Sequence, residues 1–186
     1  FGPEYALLQH WSKDGDMIAL RAILIDSAAD EQPHALYTAM HVIDATDYSN
    51  IGPCFDVPGY RGVHGGAWRW SNSVNDEMVC LKVLDSSYSE PRLDIFTPTT
   101  RTWSVLKDFS ATYEHQYAGF KYTGEATQSR DGRYWALCMQ KTGGQWYIVI
   151  WDRTLDVVTR EWAVSSDVTS HNISFGVSPL GTYMWT

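Results

Sequence analysis

The chain is short of positive charge: 14 Lys and Arg stand against 22 Asp and Glu, a formal net charge of −8, and no lysine or arginine run gathers the cations it has. A polyanion such as nucleic acid is therefore an unfavourable partner. No apolar stretch approaches the roughly 18 residues needed to span a bilayer, and no charged leader precedes an apolar segment. Cysteine is scarce. Cys54, Cys80 and Cys138 are too few for a disulfide scaffold and lack the CxxC pairing of zinc or thiol-redox sites. Cys80 and Cys138 sit in the apolar runs MVCLKVL and WALCM, where a thiol is expected to act as a small buried hydrophobe. The GxSxG nucleophile elbow, the phosphate-binding glycine loop and HExxH are all missing, which argues against a serine hydrolase, a nucleotide-dependent enzyme and a zinc protease. Calcium-loop spacing is absent as well. No metal and no cofactor are expected. Nowhere does an apolar period of about 3.6 residues persist beyond two turns, so long helices are excluded.

Aromatic side chains, by contrast, are plentiful: 9 Trp, 11 Tyr and 6 Phe in 186 residues, with 44% hydrophobic and only 19% charged residues. That composition supports a packed core in a chain of one-domain length. The first residue is Phe1 rather than methionine, so the chain is expected to be processed or part of something longer.

The informative feature is an internal repeat. Four segments read apolar strand, serine, polar turn, apolar strand: HWSKDGDMIALR from His10, RWSNSVNDEMVCLKV from Arg69, TQSRDGRYWALCM from Thr127 and GVSPLGTYMW from Gly176. The marker serines Ser12, Ser71, Ser129 and Ser178 follow one another at 59, 58 and 49 residues. Asp14-Gly15 and Asp131-Gly132 occupy matching places after their serines, and Asp-Gly between apolar runs signals a tight hairpin turn. Each complete copy has a third extended run, LYTAMHVID from Leu36, RLDIFT from Arg92 and WYIVIWD from Trp146, rich in β-branched and aromatic residues. Fourth runs follow in the second and third copies, TRTWSVL and DVVTREW; the first copy has ATDYSNIGPCFDVPGY there, which reads mainly as loop.

A four-stranded antiparallel unit repeated at a fixed period cannot bury its faces alone, and radial stacking of such units makes a β-propeller. The stretch SRDGRYWALCMQKTGGQWYIVIWDRTLDVVTREW, residues 129–162, resembles a WD40 or TolB-like propeller blade, through its Ser-x-Asp-Gly-x-Tyr turn and Trp151-Asp152 closing the third run. The period exceeds that of WD40 blades, about 40 to 45 residues, and only this copy carries Trp-Asp, so the looser TolB-like group is the better match. The expected fold is all-β, a β-propeller of four-stranded antiparallel blades, incomplete in this chain. Expected blades cover 6–60, 64–117 and 123–172, with the first strands of a further blade at 173–186. Since a ring takes at least about four blades, the remaining ones are expected from the same or another chain.

Propeller ligands sit at one mouth of the channel. Counting seven residues back from each marker serine gives Tyr5, His64, Tyr122 and His171, one per blade at one depth, with Glu125 on the same rim. Histidine and tyrosine can act as general base and acid beside a carboxylate; some propeller polysaccharide lyases use such a pair. The candidate catalytic residues are His64, Tyr122 and His171, and the candidate binding residues are Tyr5, His64, Tyr122, Glu125 and His171. The plain alternative is that they cap the channel with ordinary hydrogen bonds. His10, His34, His41 and His115 are scattered and receive no role. Trp68, Trp103, Trp146 and Trp162 are suited to stacking on sugars or to packing between blades, with packing the expectation.

The leading expectation is a non-enzymatic binding or assembly scaffold presenting loops to a protein or glycan partner. Its alternatives are a carbohydrate-active propeller such as a polysaccharide lyase, and a structural subunit completing a propeller between chains. An acidic, lysine-poor, aromatic-rich propeller of this group is expected to be extracytoplasmic or secreted.

Overall fold

A computed structural model of the chain describes residues 11–25, 36–53, 68–83, 89–110, 117–120, 127–164, 176–178, 180 and 184–185. All its regular structure is β: β1 (Met17–Ile25), β2 (Leu36–Asp44), β3 (Asn50–Pro53), β4 (Trp68–Trp70), β5 (Met78–Val83), β6 (Ser89–Thr97), β7 (Thr102–Asp108), β8 (Tyr117–Phe120), β9 (Thr127–Gln128), β10 (Tyr134–Lys141), β11 (Trp146–Asp152), β12 (Val157–Ala163), β13 (Gly176–Val177) and β14 (Met184–Trp185). Every pairing is antiparallel. In the first blade β1, β2 and β3 form a meander, with Trp11 bridged to Ile18 on the inner side. The second blade runs β4-β5-β6-β7 and the third runs from β8 and β9, both on β10, outward through β11 to β12. Among the described residues one pairing, Ser89 with Phe120, links the second and third sheets. β13 pairs β14 and approaches β9 and β10, where the innermost strand of another blade would begin.

The blades stack face to face, and alternation along each strand decides which neighbour a side chain meets. Met78, Cys80 and Phe96 of the second blade join Met17, Ala19 and Val42 of the first in one buried cluster with Trp70. The opposite face of the same strands sends Val79 and Leu93, with Phe109, against Trp135, Leu137, Met139, Val149 and Trp151 of the third blade. Burial on both faces explains why these strands read as unbroken apolar runs and not as an alternating pattern. Trp135 and Trp151 are cross-strand partners and both fully buried; Phe109 meets Trp151 edge-on at 5.5 Å, a favoured aromatic geometry. By contrast β7 and β12 are mostly solvated. The outermost strand is the skin of each blade.

The expected turns are present, with a physical reason for each residue. The amides of Gly15 and Gly132 donate to the carbonyls of Ser12 and Ser129 (3.1 and 2.9 Å), and both glycines take the left-handed φ, +75° and +71°. In the longer second turn Asp76 takes that conformation at φ 55°. The turns joining third and fourth strands also agree: Tyr48, Arg101 and Asp156, each four residues beyond the end of its third strand, have φ of 59°, 55° and 55°. One reading needs correction. The stretch after Asp44 contains a short strand that its proline and glycine hide: β3 completes a ladder with β2, Asn50 lying opposite Ile43 and Pro53 opposite His41, while residues 54–60 lie outside the described residues. Pro53 is tolerated because it ends an outer strand. Cys80 and Cys138 are buried, as their apolar surroundings require.

Two glycines with the same φ separate backbone strain from close approach. A Cβ on Gly15 meets nothing within 4 Å, whereas one on Gly132 falls 2.5 Å from the Ser73 amide nitrogen of the neighbouring blade. By chemical denaturation Gly15→Ala is expected to destabilise by about 1 kcal/mol, the left-handed penalty alone. Gly132→Ala is expected to lose about 3 kcal/mol or more, because the seam must also move.

Candidate functional site

The expected channel-mouth residues Tyr5, His64, Tyr122, Glu125 and His171 all lie outside the described residues. So do Trp68's side chain, His10, His34 and His115. The other tryptophans divide. Trp103 packs on Phe96 at 4.9 Å and Trp146 packs against the cluster of Ala136, Cys138, Ile148 and Ile150, whereas Trp162 is 39% exposed. What the structure describes is the opposite end of the innermost strands, the rim built by the first three marker turns.

Ser12, Ser71 and Ser129 are buried and each organises its own turn. The Met17 amide donates to Ser12 Oγ at 3.0 Å and the Tyr134 amide to Ser129 Oγ at 2.9 Å. In the longer turn the amides of Ser73 and Val74 donate to Ser71 Oγ, both at 3.2 Å. In turn Ser12 donates to Asp16 Oδ1 at 2.6 Å and Ser129 to Asp131 Oδ1 at 2.5 Å. The serine is required because one small hydroxyl must accept from a strand amide and donate to a carboxylate in the same buried corner.

Polar side chains then sew neighbouring turns together. Asn75 Nδ2 donates to Asp16 Oδ2 at 3.0 Å across the first seam. Across the second, the Asn72 amide donates to Gln128 Oε1 (2.8 Å), Asn72 Nδ2 to the Ser129 carbonyl (3.0 Å) and Gln128 Nε2 to the Trp70 carbonyl (2.5 Å). Arg153, in the turn leaving β11, reaches the second blade and forks onto Glu77 with Nη1–Oε1 2.6 Å and Nη2–Oε2 2.9 Å, also donating to Ser71 and Ser73. Such a two-pronged guanidinium–carboxylate pair is both strong and directional. Further out Lys107 Nζ donates to Asp156 Oδ2 at 2.6 Å, and Arg101 to the Ile51 carbonyl at 2.6 Å.

The rim carboxylates are held as anions. Hydrogen bonds from Ser12 and then Asn75 keep Asp16 below the ordinary carboxylate range, and Ser129 with the Arg133 amide does the same for Asp131. Burial opposes the charged form of Asp152, yet Arg133 and the amides of Leu155 and Thr154 outweigh it and hold that carboxyl low. Arg133 grips Asp152 through Nε and Nη2 at 2.7 to 3.1 Å. Groups so placed bind and position, but none of these three gives up a proton near neutral pH. Among the described residues no three His, Cys, Asp or Glu converge as metal ligands, and no helix is long and apolar enough to cross a membrane.

Sequence reading missed Asn72, Gln128, Glu77 and Arg153. Glu77 precedes its strand and Arg153 follows the Trp-Asp pair by one residue, positions that look like ordinary solvated turn charges. Only their 76-residue separation closing to a bidentate contact gives them meaning.

Removing one partner of this mostly buried pair leaves an uncompensated charge. Arg153→Met is expected to destabilise by about 3 kcal/mol and Glu77→Gln by a similar amount, while Glu77→Met with Arg153→Met together lose less than the sum; urea midpoints of the four proteins measure this. Since Asp16, Asp131 and Asp152 have lowered folded pKa values, their contribution is present above about pH 4 and lost as pH falls below it. Asp152→Asn is expected to flatten that acid limb in a pH series of melting curves.

No protein-family model matches the chain, and no curated protein matches it. Among solved structures it is similar to the crystal structure of TolB from Acinetobacter baumannii, with 16% identity and a TM-score of 0.36. The match covers 80% of this chain and 41% of that one, so the chain spans about two fifths of that protein's length.

Proposed function

We propose that the chain is a non-enzymatic β-propeller scaffold that presents loops to a protein or glycan partner. The observation that carries this reading is the division of labour in the marker turns. In the first three their polar groups are committed to holding blades together, while Val74 in the second turn stands 45% exposed and Leu180 in the fourth 77%. Exposed apolar side chains on a rigid rim suit partner contact and do nothing for the fold. Blades over 6–60, 64–117 and 123–172, with a further one opening at 173–186 and the rest from this or another chain, belong to the same proposal. So does an extracytoplasmic or secreted setting, which rests on the acidic, lysine-poor composition. The test places a photo-crosslinker at positions 74 and 180 of the full-length protein in its native source and identifies what is captured. Val74→Glu and Leu180→Glu are expected to weaken that capture at least tenfold, about 1.4 kcal/mol, without shifting the melting temperature. Undiminished capture by both variants overturns the rim as the contact surface.

A second reading keeps chemistry at the opposite mouth. β8 and β9 both run beside β10, and the chain takes seven residues from Phe120 to Thr127 where β10 takes three from Ala136 to Met139. Tyr122 and Glu125 belong to that extra length in the sequence. With His64 or His171 supplying the base and Tyr122 the acid, and Tyr5 and Glu125 aiding binding, the chain would act as a lyase on an acidic polysaccharide. A rise in unsaturated-sugar absorbance over a polysaccharide panel, abolished by His64→Ala and Tyr122→Phe, is the expected result; unchanged turnover in both variants removes those roles.

A further inference from the structure

One buried charge on the first seam is unexplained by the packing around it. Met78 and Trp135 hold the same place in their blades, pairing with Trp70 and Gln128 of the innermost strands. Counting two residues on, Cys80 matches Leu137, and their cross-strand partners Asp94 and Val149 match each other. Where the third blade puts a fully buried valine, the second puts an aspartate that is 3% exposed. Asp94 lies on the face of β6 that carries Phe96, the face packed on the first blade. Its Oδ2 accepts from Arg92 Nη2 at 2.9 Å, and its Oδ1 has no hydrogen-bond partner among the described residues. A half-satisfied buried carboxylate is costly, and an apolar residue of similar size is known to fit this position of the repeat.

The surroundings decide how the group behaves. On β6 itself the charged residues are Arg92, two before Asp94, and Glu90, four before it. On β7 the charged neighbour is Asp108, the partner of Arg92 across the ladder, while Lys107 pairs with Leu93 and is bonded to Asp156 of the third blade. On β5 Cys80 lies directly opposite, with Lys82 at a later position of the strand. From the first blade, Met17, Ala19, Val42 and Ile51 meet this cluster and none of them ionises; the ionisable residues next along those strands are Arg21, two past Ala19 on β1, and His41, beside Val42 on β2. One arginine thus serves two carboxylates, Asp94 buried and Asp108 exposed and held low by Ser110.

We propose that Asp94, with Arg92 and Asp108, is a proton-operated latch on the seam between the first two blades: neutral, it lets the seam close over it, and charged, it holds the seam loose. The proton comes from solvent onto the unpartnered Oδ1, leaving Oδ2 with Arg92. Burial, reinforced by the Asp108 charge, raises the group from the ordinary 3.8 to about 6. A raised carboxyl means that the folded chain binds a proton between about pH 4 and 6 that the unfolded chain has released. The stability it adds is therefore complete below pH 4 and lost as pH rises through 6.

Amide hydrogen exchange on the full-length protein, corrected for intrinsic rates, reads the latch locally. Protection of β5 and β6 is expected to fall about tenfold between pH 5 and 7.5, while β10 and β11 of the third blade stay level. In Asp94→Asn, and in Asp94→Val borrowed from the matching position, the β5 and β6 protection is expected to be independent of pH. A flat profile in the parent protein, or the same slope in both variants, overturns the latch. Should either variant fail to fold, the Asp94 carboxyl carbon is titrated by NMR in the parent: a midpoint near 6 supports the proposal and one at or below 4 overturns it.

Discussion

A hydrogen bond between a buried serine hydroxyl and the first amide of the next strand sets the geometry of this chain. At Ser12 and Ser129 it closes the turn within five residues, to Met17 and Tyr134. That closure fixes the hairpin register, and register decides which face of each strand meets which neighbouring blade. If the serine corner slipped by one residue, Val79 and Leu93 would exchange faces with Met78 and Phe96, and both core clusters would be lost. The glycine at left-handed φ, the carboxylate that receives the serine proton and the asparagine that reaches the next turn all follow from placing this corner at the rim.

The two described seams solve one packing problem with different chemistry. The second is bolted: an aromatic cluster on the faces, Asn72 and Gln128 at the inner end, and a forked Arg153–Glu77 pair behind them. Among the described residues the first has Asn75 bonded to Asp16 and to the Asp14 amide, and Arg101 to the Ile51 carbonyl, around an apolar cluster on the face that Asp94 shares. Blades joined only through neighbours gain stability seam by seam.

Much of the fold was legible in the sequence. The runs from Leu36 and Trp146 are β2 and β11 to the residue, and Asp-Gly after a serine marked the left-handed Gly15 and Gly132. These features are local, set by alternation, β-branching and turn chemistry within about ten residues. β3 was not legible, because Gly52 and Pro53 resemble a loop until a partner strand supplies the ladder. The split of the third blade's inner strand into β8 and β9 was hidden for a similar reason. Seam residues were obscured by distance in sequence, since nothing local in SNSVNDE or DRTLD says that Glu77 and Arg153 meet. Asp94 did leave a trace: an acid at the centre of RLDIF, on the same face as Phe96, is out of place in a two-sided buried strand. The mouth residues Tyr5, His64, Tyr122, Glu125 and His171 were read from register alone and lie outside the described residues.

The account stands on blades meeting rim to rim at the marker turns. An isotope-edited NOESY spectrum of the full-length protein tests this directly. Contacts are predicted between the Gln128 side-chain amide and Trp70, between the Asn72 side-chain amide and Ser129, and between the Asn75 side-chain amide and Asp16. Finding each hairpin intact with none of these cross-turn contacts would contradict the stacking and, with it, the scaffold reading.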